Sequence, residues 1–578
     1  MKNLSLPILI ATFLVFDACV KAAEKVTVKL TVLNSMERIA QNQEPVGETQ
    51  VHIKAARNEV ESFQVAVSAI DENIKVVKVA VSELSGKDGK ISKENIILFR
   101  EEYVRARKSS PRAELPPGLY PDPLVPFINP VTGEPIEPRS ESREKWGAPV
   151  VTKGFEMYAV PFDVWKGHNQ PIWVDVHIPN DTHAGIYKGT FTVTLKNNTT
   201  ASVPVTVTVW DFTLPDGPTH KNHFGTVQNA GRFFGADPKS DKYRDIAMRY
   251  CKLMAEHRIN PPLPRNLLPS MNSDGSLKIT PEHHEALKKF IMDFHVTDFE
   301  IPRAPVKDAT TTNRDKAARY YQGYHQYLKE NGWDKRSYIY MHDEPNLKEN
   351  YEEVLEHGKL AHQAAPEMRC LVVEQTYLQD PAWPDIDPAV DIWCPLFSFI
   401  DRDSINAKIT HGDEVWSYTA LSQRAPRYHP DYEKVKSCDP PYWHIEQPLT
   451  AYRVPTWINW QYKITGLLYW STVTTVIDPW HNPAFSHFGV HFNGEGYMIY
   501  PGAPAGIDGP VSCMRLKNIR DGMEDFEYFA LLEKSAGREA VTKIVSTVAP
   551  EWWNSAKDPK AFNIARDLIA EEILKSKK

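Results

Sequence analysis

The stretch SYIYMHDEPN, residues 337–346, decides how the rest of this chain is interpreted. Its aromatic and β-branched first half is typical of a short strand, and Pro345 predicts that the strand stops there. Because the residue before a proline is pushed towards an extended or turn conformation, Asp343 and Glu344 can both point into a cleft at the strand's C-terminal end. Two adjacent carboxylates in a poorly hydrated cleft do not easily ionise together, so we expect the pair to divide into a proton donor and an anion. The alternative is an ordinary solvated acidic pair in a strand-to-helix loop.

The overall composition is that of a globular protein with room for two or three domains. The chain has 578 residues, of which 42% are hydrophobic and 24% are charged. The net charge is -7 and no polybasic run stands out, so nucleic acid and anionic membrane surfaces are disfavoured as partners. The 15 Trp and 24 Tyr are many for this length. Flat amphipathic rings suit the CH faces of sugars, although most such rings fill cores.

The N-terminus predicts an exported protein. Met1-Lys2 precede a nearly continuous apolar run at residues 4–20, which is too short for a stable membrane span and is typical of a secretory signal. We place the signal at residues 1–22, with cleavage after Ala22, and expect a periplasmic, secreted or cell-surface protein. Cys19 offers an alternative, as the acylated cysteine of a lipoprotein. No other run approaches the roughly 18 apolar residues that a membrane helix needs, so no membrane span is predicted.

Residues 25–215 predict a β-sandwich domain, because short alternating runs there are separated by turn residues. The clearest runs are 26–33, 62–69, 76–84, 173–178, 187–195 and 203–210. The proline-rich stretch 111–138 is interpreted as one long extended loop. Within it, YPDP at 120–123 either reaches across to a neighbouring domain or is a stiff surface spacer.

Residues 219–536 predict a closed, TIM-like (β/α)8 barrel, because short apolar strands there alternate with amphipathic helices. The eight candidate strands are 222–227, 258–261, 297–301, 337–341, 369–373, 390–394, 414–418 and 465–470. Asp237-Pro238 and Thr280-Pro281 each predict a helix start, since a capping residue precedes a proline. Asp343 and Glu344 then follow strand four, at the barrel mouth. Residues 537–578 predict further helices packed on the barrel.

Several short motifs occur in a characteristic order along the chain. They are ARNEVESFQ at 56–64, GIYKG at 185–189, HDEP at 342–345, GLLYW at 466–470, DPW at 478–480, YPG at 500–502 and RLKNIRDGMEDFEY at 515–528. With them the chain resembles the family 123 glycoside hydrolases, the β-N-acetylgalactosaminidases, over nearly the whole mature length. We expect the charged residues of the last motif to form a structural ion-pair network.

The resemblance implies a retaining, exo-acting enzyme that releases terminal β-linked N-acetylgalactosamine from glycans or glycolipid head groups. In such enzymes the 2-acetamido oxygen of the substrate attacks the anomeric carbon, so no protein nucleophile is needed. Asp343 would orient the acetamide and stabilise the intermediate. Glu344 would protonate the leaving oxygen and then activate water.

Six further residues are candidates for sugar binding. They are His223 near strand one, Trp393, Trp416, Tyr418 and Trp470 at or near the ends of strands six to eight, and Trp480 in the loop after strand eight. The competing interpretation is that the rings at the strand ends fill the barrel core, and that Trp480 belongs to the packing of its loop.

Two other functions compete with this one. A retaining glycosidase would use Glu344 as acid and base with a protein nucleophile such as Glu446 or Glu374, whereas a non-catalytic glycan-binding protein would use the same scaffold without chemistry. Neither a cofactor nor a metal is expected. The five cysteines beyond the signal show no CxxC, and His487 and His491 lie among glycines without a third ligand. The sequence does not predict an oligomeric state.

Overall fold

The structure is a computed structural model that describes residues 28–136, 158–474, 476 and 478–577. The predicted signal at residues 1–22, including Cys19, lies outside this part of the chain. No helix within the described ranges is long and apolar enough to cross a membrane.

The N-terminal part of the described chain is built from strands between residues 28 and 213. They are β1 (Val28–Asn34), β2 (Val51–Arg57), β3 (Glu59–Ala69), β4 (Ile74–Val81), β5 (Leu84–Gly86), β6 (Gly89–Ile91), β7 (Ile96–Ala106), β8 (Gly118–Pro126), β9 (Phe162–Val164), β10 (Asn169–Ile178), β11 (Gly185–Leu195) and β12 (Thr200–Thr213). Within the described residues, each of the six runs that the sequence singles out overlaps a strand of this set.

These strands form two sheets that pack face to face. One sheet has the order β1-β3-β10-β7-β8, and the other has the order β2-β12-β11-β4-β9, with β5 attached to β11 and β6 to β5. One apolar core takes side chains from both sheets, for example Val65 of β3, Ile172 of β10 and Val207 of β12. This is the sandwich that the alternating pattern predicts, since apolar side chains of both sheets meet between them.

The prediction of a single long loop at residues 111–138 is wrong, because the stretch contains β8. Prolines are tolerated in an edge strand, where a missing N–H costs no ladder hydrogen bond, and β8 is the edge strand beside β7. Of the two interpretations of residues 120–123, the structure shows the contact across domains. The Asp122 carboxylate accepts hydrogen bonds from Arg515 Nε at 3.0 Å and Tyr500 Oη at 2.7 Å.

The second part of the chain contains both strands and helices. Its strands are β13 (Lys221–His223), β14 (Ser270–Met271), β15 (Leu277–Lys278), β16 (Phe299–Ile301), β17 (Ser337–Asp343), β18 (Cys370–Val373), β19 (Ile392–Trp393), β20 (Glu414–Tyr418), β21 (Gly466–Leu468), β22 (Ala484–His487), β23 (Val490–Asn493), β24 (Tyr500–Pro501) and β25 (Pro510–Val511). Its helices are α1 (Asp241–Ala255), α2 (Pro281–Asp293), α3 (Arg314–Glu330), α4 (Lys348–Ala364), α5 (Arg402–His411), α6 (Tyr432–Val435), α7 (Thr450–Arg453), α8 (Pro455–Gln461), α9 (Met514–Ala536), α10 (Arg538–Val545) and α11 (Pro559–Ser576).

The two predicted helix starts have different outcomes. α2 begins at Pro281 as predicted, and the Thr280 hydroxyl accepts the His283 N–H at 3.3 Å. α1 begins later than predicted, because Ser240 rather than Asp237 is the capping residue. Asp237 instead caps a turn, in which the Ser240 N–H donates to its carbonyl.

A nearly closed parallel sheet positions the site. Within the described residues seven strands form it, in the order β13-β21-β20-β19-β18-β17-β16. The predicted second strand at 258–261 is not a strand, which corrects the expected eight. Pro261 and Pro262 lack the N–H groups that a central strand must donate, and two side chains bridge the gap instead. Asn222 Oδ1 accepts the Asn260 N–H at 2.7 Å, and Asn260 Oδ1 accepts the Thr297 N–H at 2.9 Å.

Buried charges on α9 join the two parts of the molecule, as expected for a structural ion-pair network. They pair with acids and bases of both parts: Arg515 with Asp122, Lys517 with Asp175, Glu524 with Arg258 and Asp525 with Arg453. Arg566 of α11 pairs with Glu59 and Glu61 of β3, so the C-terminal helices contact the sandwich as well as α9. Removing one partner of such a pair would leave an uncompensated buried charge.

Candidate active site

Asp343 and Glu344 lie where β17 ends. Asp343 is the last residue of the strand and pairs with Val373 of β18, and the Glu344 N–H donates to the Val373 carbonyl at 3.2 Å. Glu344 has a φ of 49°, in the left-handed region that few non-glycine residues adopt. A bulge between Tyr340 and His342 also shifts the alternation of side chains along the strand. Both acids are exposed.

Each acid is held by a tyrosine from the barrel interior. Tyr340 donates to Asp343 Oδ1 at 3.0 Å, and Tyr418 of β20 donates to Glu344 Oε1. Burial, together with the carboxylate that each phenol faces, raises the pKa of both tyrosines well above the ordinary value. Both therefore keep their proton and act as donors. The two carboxylates thus both turn towards the barrel interior, yet they have separate partners.

A third acid, Glu374, lies beside Glu344. It directly follows β18, the strand paired with β17, and it lines a pocket of about 140 Å³ together with Glu344. Tyr351 donates to its Oε1 at 2.8 Å, and the Gln375 side-chain amide donates to the same oxygen. Burial raises the pKa of Glu374 to about 8, and the negative charge of Glu344 adds to the rise, against those two hydrogen bonds. At neutral pH this residue is a neutral carboxylic acid.

Replacing Glu374 with glutamine is expected to flatten the pH dependence of stability. Between the ordinary pKa of 4.5 and the folded value of about 8, the folded state keeps a proton that the unfolded state has lost. The free energy of unfolding of the wild type therefore falls as the pH rises through this window, by up to about 1.4 kcal/mol per pH unit from this group. Urea unfolding at several pH values measures the difference between Glu374→Gln and the wild type. Glu349→Gln, on the exposed first turn of α4, is the control, and equal slopes for all three proteins would contradict a neutral Glu374.

A larger cavity of about 730 Å³ opens on the other side of the barrel interior. It occupies the side where the second strand is missing, and its lining includes His223 of β13, Glu300 of β16, Tyr340 of β17 and Trp470 after β21. The rest of the interior is filled by an apolar cluster that contains Leu371, Ile392 and Leu468. The barrel interior is therefore packed on one side and open on the other, with Asp343 and Glu344 at the end of β17.

Three of the six predicted sugar-binding residues lie at these cavities. Tyr418 lines the small pocket, and His223 and Trp470 line the large cavity. His223 Nδ1 is 2.9 Å from Tyr338 Oη, and burial lowers the pKa of His223, so the ring is neutral at pH 7. The Trp470 side chain is 38% exposed and donates to Glu495 Oε1 at 2.7 Å.

The other three predicted residues line neither of these two cavities. Trp393 points away from the interior and donates to Asp413 at 3.0 Å. Trp416 points inwards but is 0% exposed, in contact with Tyr338 below the mouth. Trp480 is 3% exposed and donates to a carbonyl within its own loop region. The strand positions were close to those expected, but the direction and depth of each side chain decided its surroundings.

Glu446, one of the two predicted alternatives for a nucleophile, is placed away from the mouth. Its carboxylate is fully buried, where it accepts the Ser110 N–H at 3.0 Å and the Asn493 side-chain amide. These contacts give it a structural role between the sandwich and the barrel. Glu374 is the alternative that lies beside Glu344.

Sequence reasoning missed Glu300. A signal for it exists, because in the run DFEIP at 298–302 acidic residues alternate with apolar ones. A strand that faces a polar cavity on one side and helices on the other produces this alternation. The alternation alone does not identify Glu300 as a cavity residue, because that also requires the barrel interior to be open at this strand.

One group of three possible metal ligands occurs in the described chain: His362, Cys370 and Asp391. They already bond to one another, since Asp391 Oδ2 is 2.9 Å from His362 Nε2 and accepts the Cys370 N–H at 2.7 Å. Burial raises the pKa of Cys370 well above the ordinary value, which keeps it a thiol rather than the thiolate that binds metals. These residues do not fit a metal centre.

Two family models match the chain. The model described as "Glycoside hydrolase 123, catalytic domain" matches residues 248–532, and "Glycoside hydrolase 123 N-terminal domain" matches residues 35–195. A search of curated proteins found no match.

The comparison with solved structures supports the fold through a family 123 enzyme. A family 123 glycoside hydrolase from Clostridium perfringens superposes with a TM-score of 0.65 at 13% identity, over 95% of this chain and 98% of that one. At this identity the likeness shows the fold. A family 5 xyloglucanase from Bacteroides ovatus covers 86% of this chain and 100% of its own, at 11% identity and a TM-score of 0.28. That score is too low to carry an argument.

A barrel mouth with adjacent carboxylates, together with the matched catalytic domain, defines the protein as a glycoside hydrolase, an enzyme that acts on carbohydrate. The match of both domain models then assigns it more narrowly. The chain belongs to glycoside hydrolase family 123.

Proposed function

We propose that this chain is an exported, exo-acting β-N-acetylgalactosaminidase that removes terminal β-linked N-acetylgalactosamine with retention. The observation that carries the proposal is the placement of Asp343 and Glu344 side by side at the mouth, each with its own tyrosine donor. Two adjacent acids with separate partners can carry out two different tasks on neighbouring atoms of one sugar ring. The acetamide on C2 and the glycosidic oxygen on C1 are such neighbours.

The reaction uses the acetamide of the substrate as nucleophile. Asp343 accepts a hydrogen bond from the acetamide N–H, and the acetamide oxygen attacks the anomeric carbon as the glycosidic bond breaks. Glu344 gives its proton to the leaving oxygen in the same step. The Asp343 carboxylate stabilises the positive charge of the oxazolinium-like intermediate. Glu344, now anionic, takes a proton from the attacking water, which restores the acetamide and releases the sugar in its original β configuration.

The shape of the barrel supports attack at a chain end. The large cavity lies within the barrel interior, and ion pairs join the opposite, N-terminal ends of the strands. Lys221 Nζ is 2.7 Å from Glu414 Oε1, and Arg369 Nη2 is 2.7 Å from the same oxygen. A cavity that opens at one end of a barrel suits the terminal sugar of a chain rather than its middle.

Glycolipid head groups are the substrate class that the family suggests. The structure of the Clostridium perfringens family member was described for its hydrolysis of glycolipid glycans. Shared family membership supports the same class for this chain, with oligosaccharides that end in the same sugar as the wider set.

The second candidate mechanism uses a protein nucleophile. Glu374 is the candidate for that role, because its position beside Glu344 favours it over Glu446. Glu374 and Glu344 line the same small pocket. However, a nucleophile must be ionised, and burial raises the pKa of Glu374 to about 8. We therefore prefer the substrate-assisted reaction.

Turnover of two chromogenic hexosaminides tests the proposal. We expect the full-length enzyme to hydrolyse 4-nitrophenyl β-N-acetylgalactosaminide, with a kcat/KM at least about tenfold above that for the β-N-acetylglucosaminide. NMR of the first product should show the β anomer. Release from neither substrate, with binding retained, would instead indicate the non-catalytic glycan-binding protein.

A further inference from the structure

Glu300 carries a free carboxylate inside the large cavity. On either side of it along β16, Phe299 and Ile301 are 5% and 1% exposed and pack in the main core against the helices. The alternation of a strand therefore turns Glu300 the other way, into the cavity, where it is exposed. Within the described residues, its carboxylate makes neither a hydrogen bond nor an ion pair with the protein. An acid that is turned into a cavity and lacks a protein partner is available to a ligand.

The groups around Glu300 suit a neutral, hydroxyl-rich ligand. His223 has one ring nitrogen bonded to Tyr338, which leaves its other nitrogen for the cavity. The Trp470 ring at the rim supplies a flat apolar face. A bound metal ion is not supported, because the Glu300, His223 and Asp343 ligand atoms do not come within 4.8 Å of one another as a group. Hydrogen-bond acceptors, a neutral imidazole and an aromatic face together define a sugar subsite.

The proposed reaction predicts which hydroxyls reach Glu300. With the acetamide at Asp343 and the glycosidic oxygen at Glu344, the C1–C2 edge of the ring faces the end of β17. In this placement the opposite edge, which carries the 4-hydroxyl and the 6-hydroxyl, would extend past Tyr340 into the cavity towards β16. A carboxylate has two acceptor oxygens and can bind such a pair of hydroxyls at once.

We propose that Glu300 selects the sugar, by accepting hydrogen bonds from the 4-hydroxyl and 6-hydroxyl of a terminal hexosamine seated in the large cavity. The inference rests on the proposed function and adds the residue that distinguishes galacto from gluco configuration. These two sugars differ only in the direction of the 4-hydroxyl, and a charged acceptor is sensitive to that direction because hydrogen bonds to ionised groups are strong and directional.

A cycle of enzyme and substrate changes tests this role. For the wild type, removing the 4-hydroxyl from the β-N-acetylgalactosaminide should lower kcat/KM about 10²-fold, since the Glu300 carboxylate, which the bound sugar covers, is left without its partner. For Glu300→Ala the same removal should cost less than about threefold, because the partner is already gone. Glu300→Gln keeps the shape of the side chain but not its charge. Its loss of kcat/KM on removal of the 4-hydroxyl should lie between those of the wild type and Glu300→Ala. Equal losses in wild type and Glu300→Ala would overturn the proposal.

Binding of free N-acetylgalactosamine makes the test independent of turnover. Tryptophan fluorescence should report binding, because Trp470 lines the cavity. We expect Glu300→Ala to raise the dissociation constant at least about tenfold, while Glu330→Gln, at the exposed end of α3, leaves it unchanged. An unchanged constant in Glu300→Ala would refute the role of Glu300 even if the wild type is an active hexosaminidase. A wild type that binds the sugar through Glu300 but does not hydrolyse its glycosides would refute the proposed reaction alone.

Discussion

Glutamine in place of Glu344 is expected to lower kcat for an N-acetylgalactosaminide with an alkyl leaving group by about 10³-fold, because a poor leaving group needs a general acid. KM should change little, since glutamine keeps the shape of the side chain and can still accept the hydrogen bond from Tyr418. The loss should be smaller for a 2,4-dinitrophenyl glycoside, which leaves without a proton. Steady-state kinetics on both substrates measures the contrast.

Glu349→Gln is the matched control for this experiment. Glu349 lies five residues after Glu344 on the exposed first turn of α4, so the change alters a nearby charge without touching either cavity. Wild-type kinetics in Glu349→Gln would show that general electrostatics do not explain the loss. If Glu344→Gln lost activity equally on both leaving groups, Glu344 would not be the acid.

Removing the acetamide from the substrate is expected to have the largest effect. A β-galactoside with the same leaving group should be hydrolysed at least about 10⁴-fold more slowly, because the oriented neighbouring group is the nucleophile and its effective concentration is very high. The same comparison in Asp343→Asn should show a smaller ratio, since that variant no longer orients the acetamide or stabilises the charged intermediate.

Glu374→Gln distinguishes the remaining mechanism. If Glu374 were a protein nucleophile, the galactoside would be a good substrate and this variant would abolish turnover of both sugars. Comparable rates for galactoside and N-acetylgalactosaminide in the wild type would therefore reject substrate assistance. Only the substrate-assisted mechanism predicts both a large loss of rate without the acetamide and a nearly unchanged rate in Glu374→Gln.

Local patterns in the sequence predicted the elements that depend on local physics. Alternation located six strands of the sandwich, and Thr280-Pro281 located the start of α2. The same reasoning failed at 258–261, where the apolar character of a strand was present but Pro261 and Pro262 removed its donors. There the Asn222 and Asn260 side chains bridge the sheet, a solution that depends on residues 38 positions apart.

The candidate site divides in the same way. The chain alone brought Asp343 and Glu344 together, because they are adjacent and a proline ends their strand. It did not indicate that Trp393 points outwards or that Trp416 lies below the mouth, since both depend on the direction in which a strand packs. Neither did it show Glu300 as a cavity residue.

The sequence by itself therefore determined the order of domains, the family and the paired acids, because alternation, capping, proline and motif spacing act over short separations or survive as fixed patterns. Only the tertiary structure decided that Glu300 faces an open half of the barrel, that Glu374 lies beside Glu344, and that Tyr340 and Tyr418 hold the two acids. These contacts join strands that are distant along the chain. These contacts depend on how the sheet closes and on which side of each strand faces the barrel interior. No local property of the chain determines the closure of the sheet or the orientation of its strands.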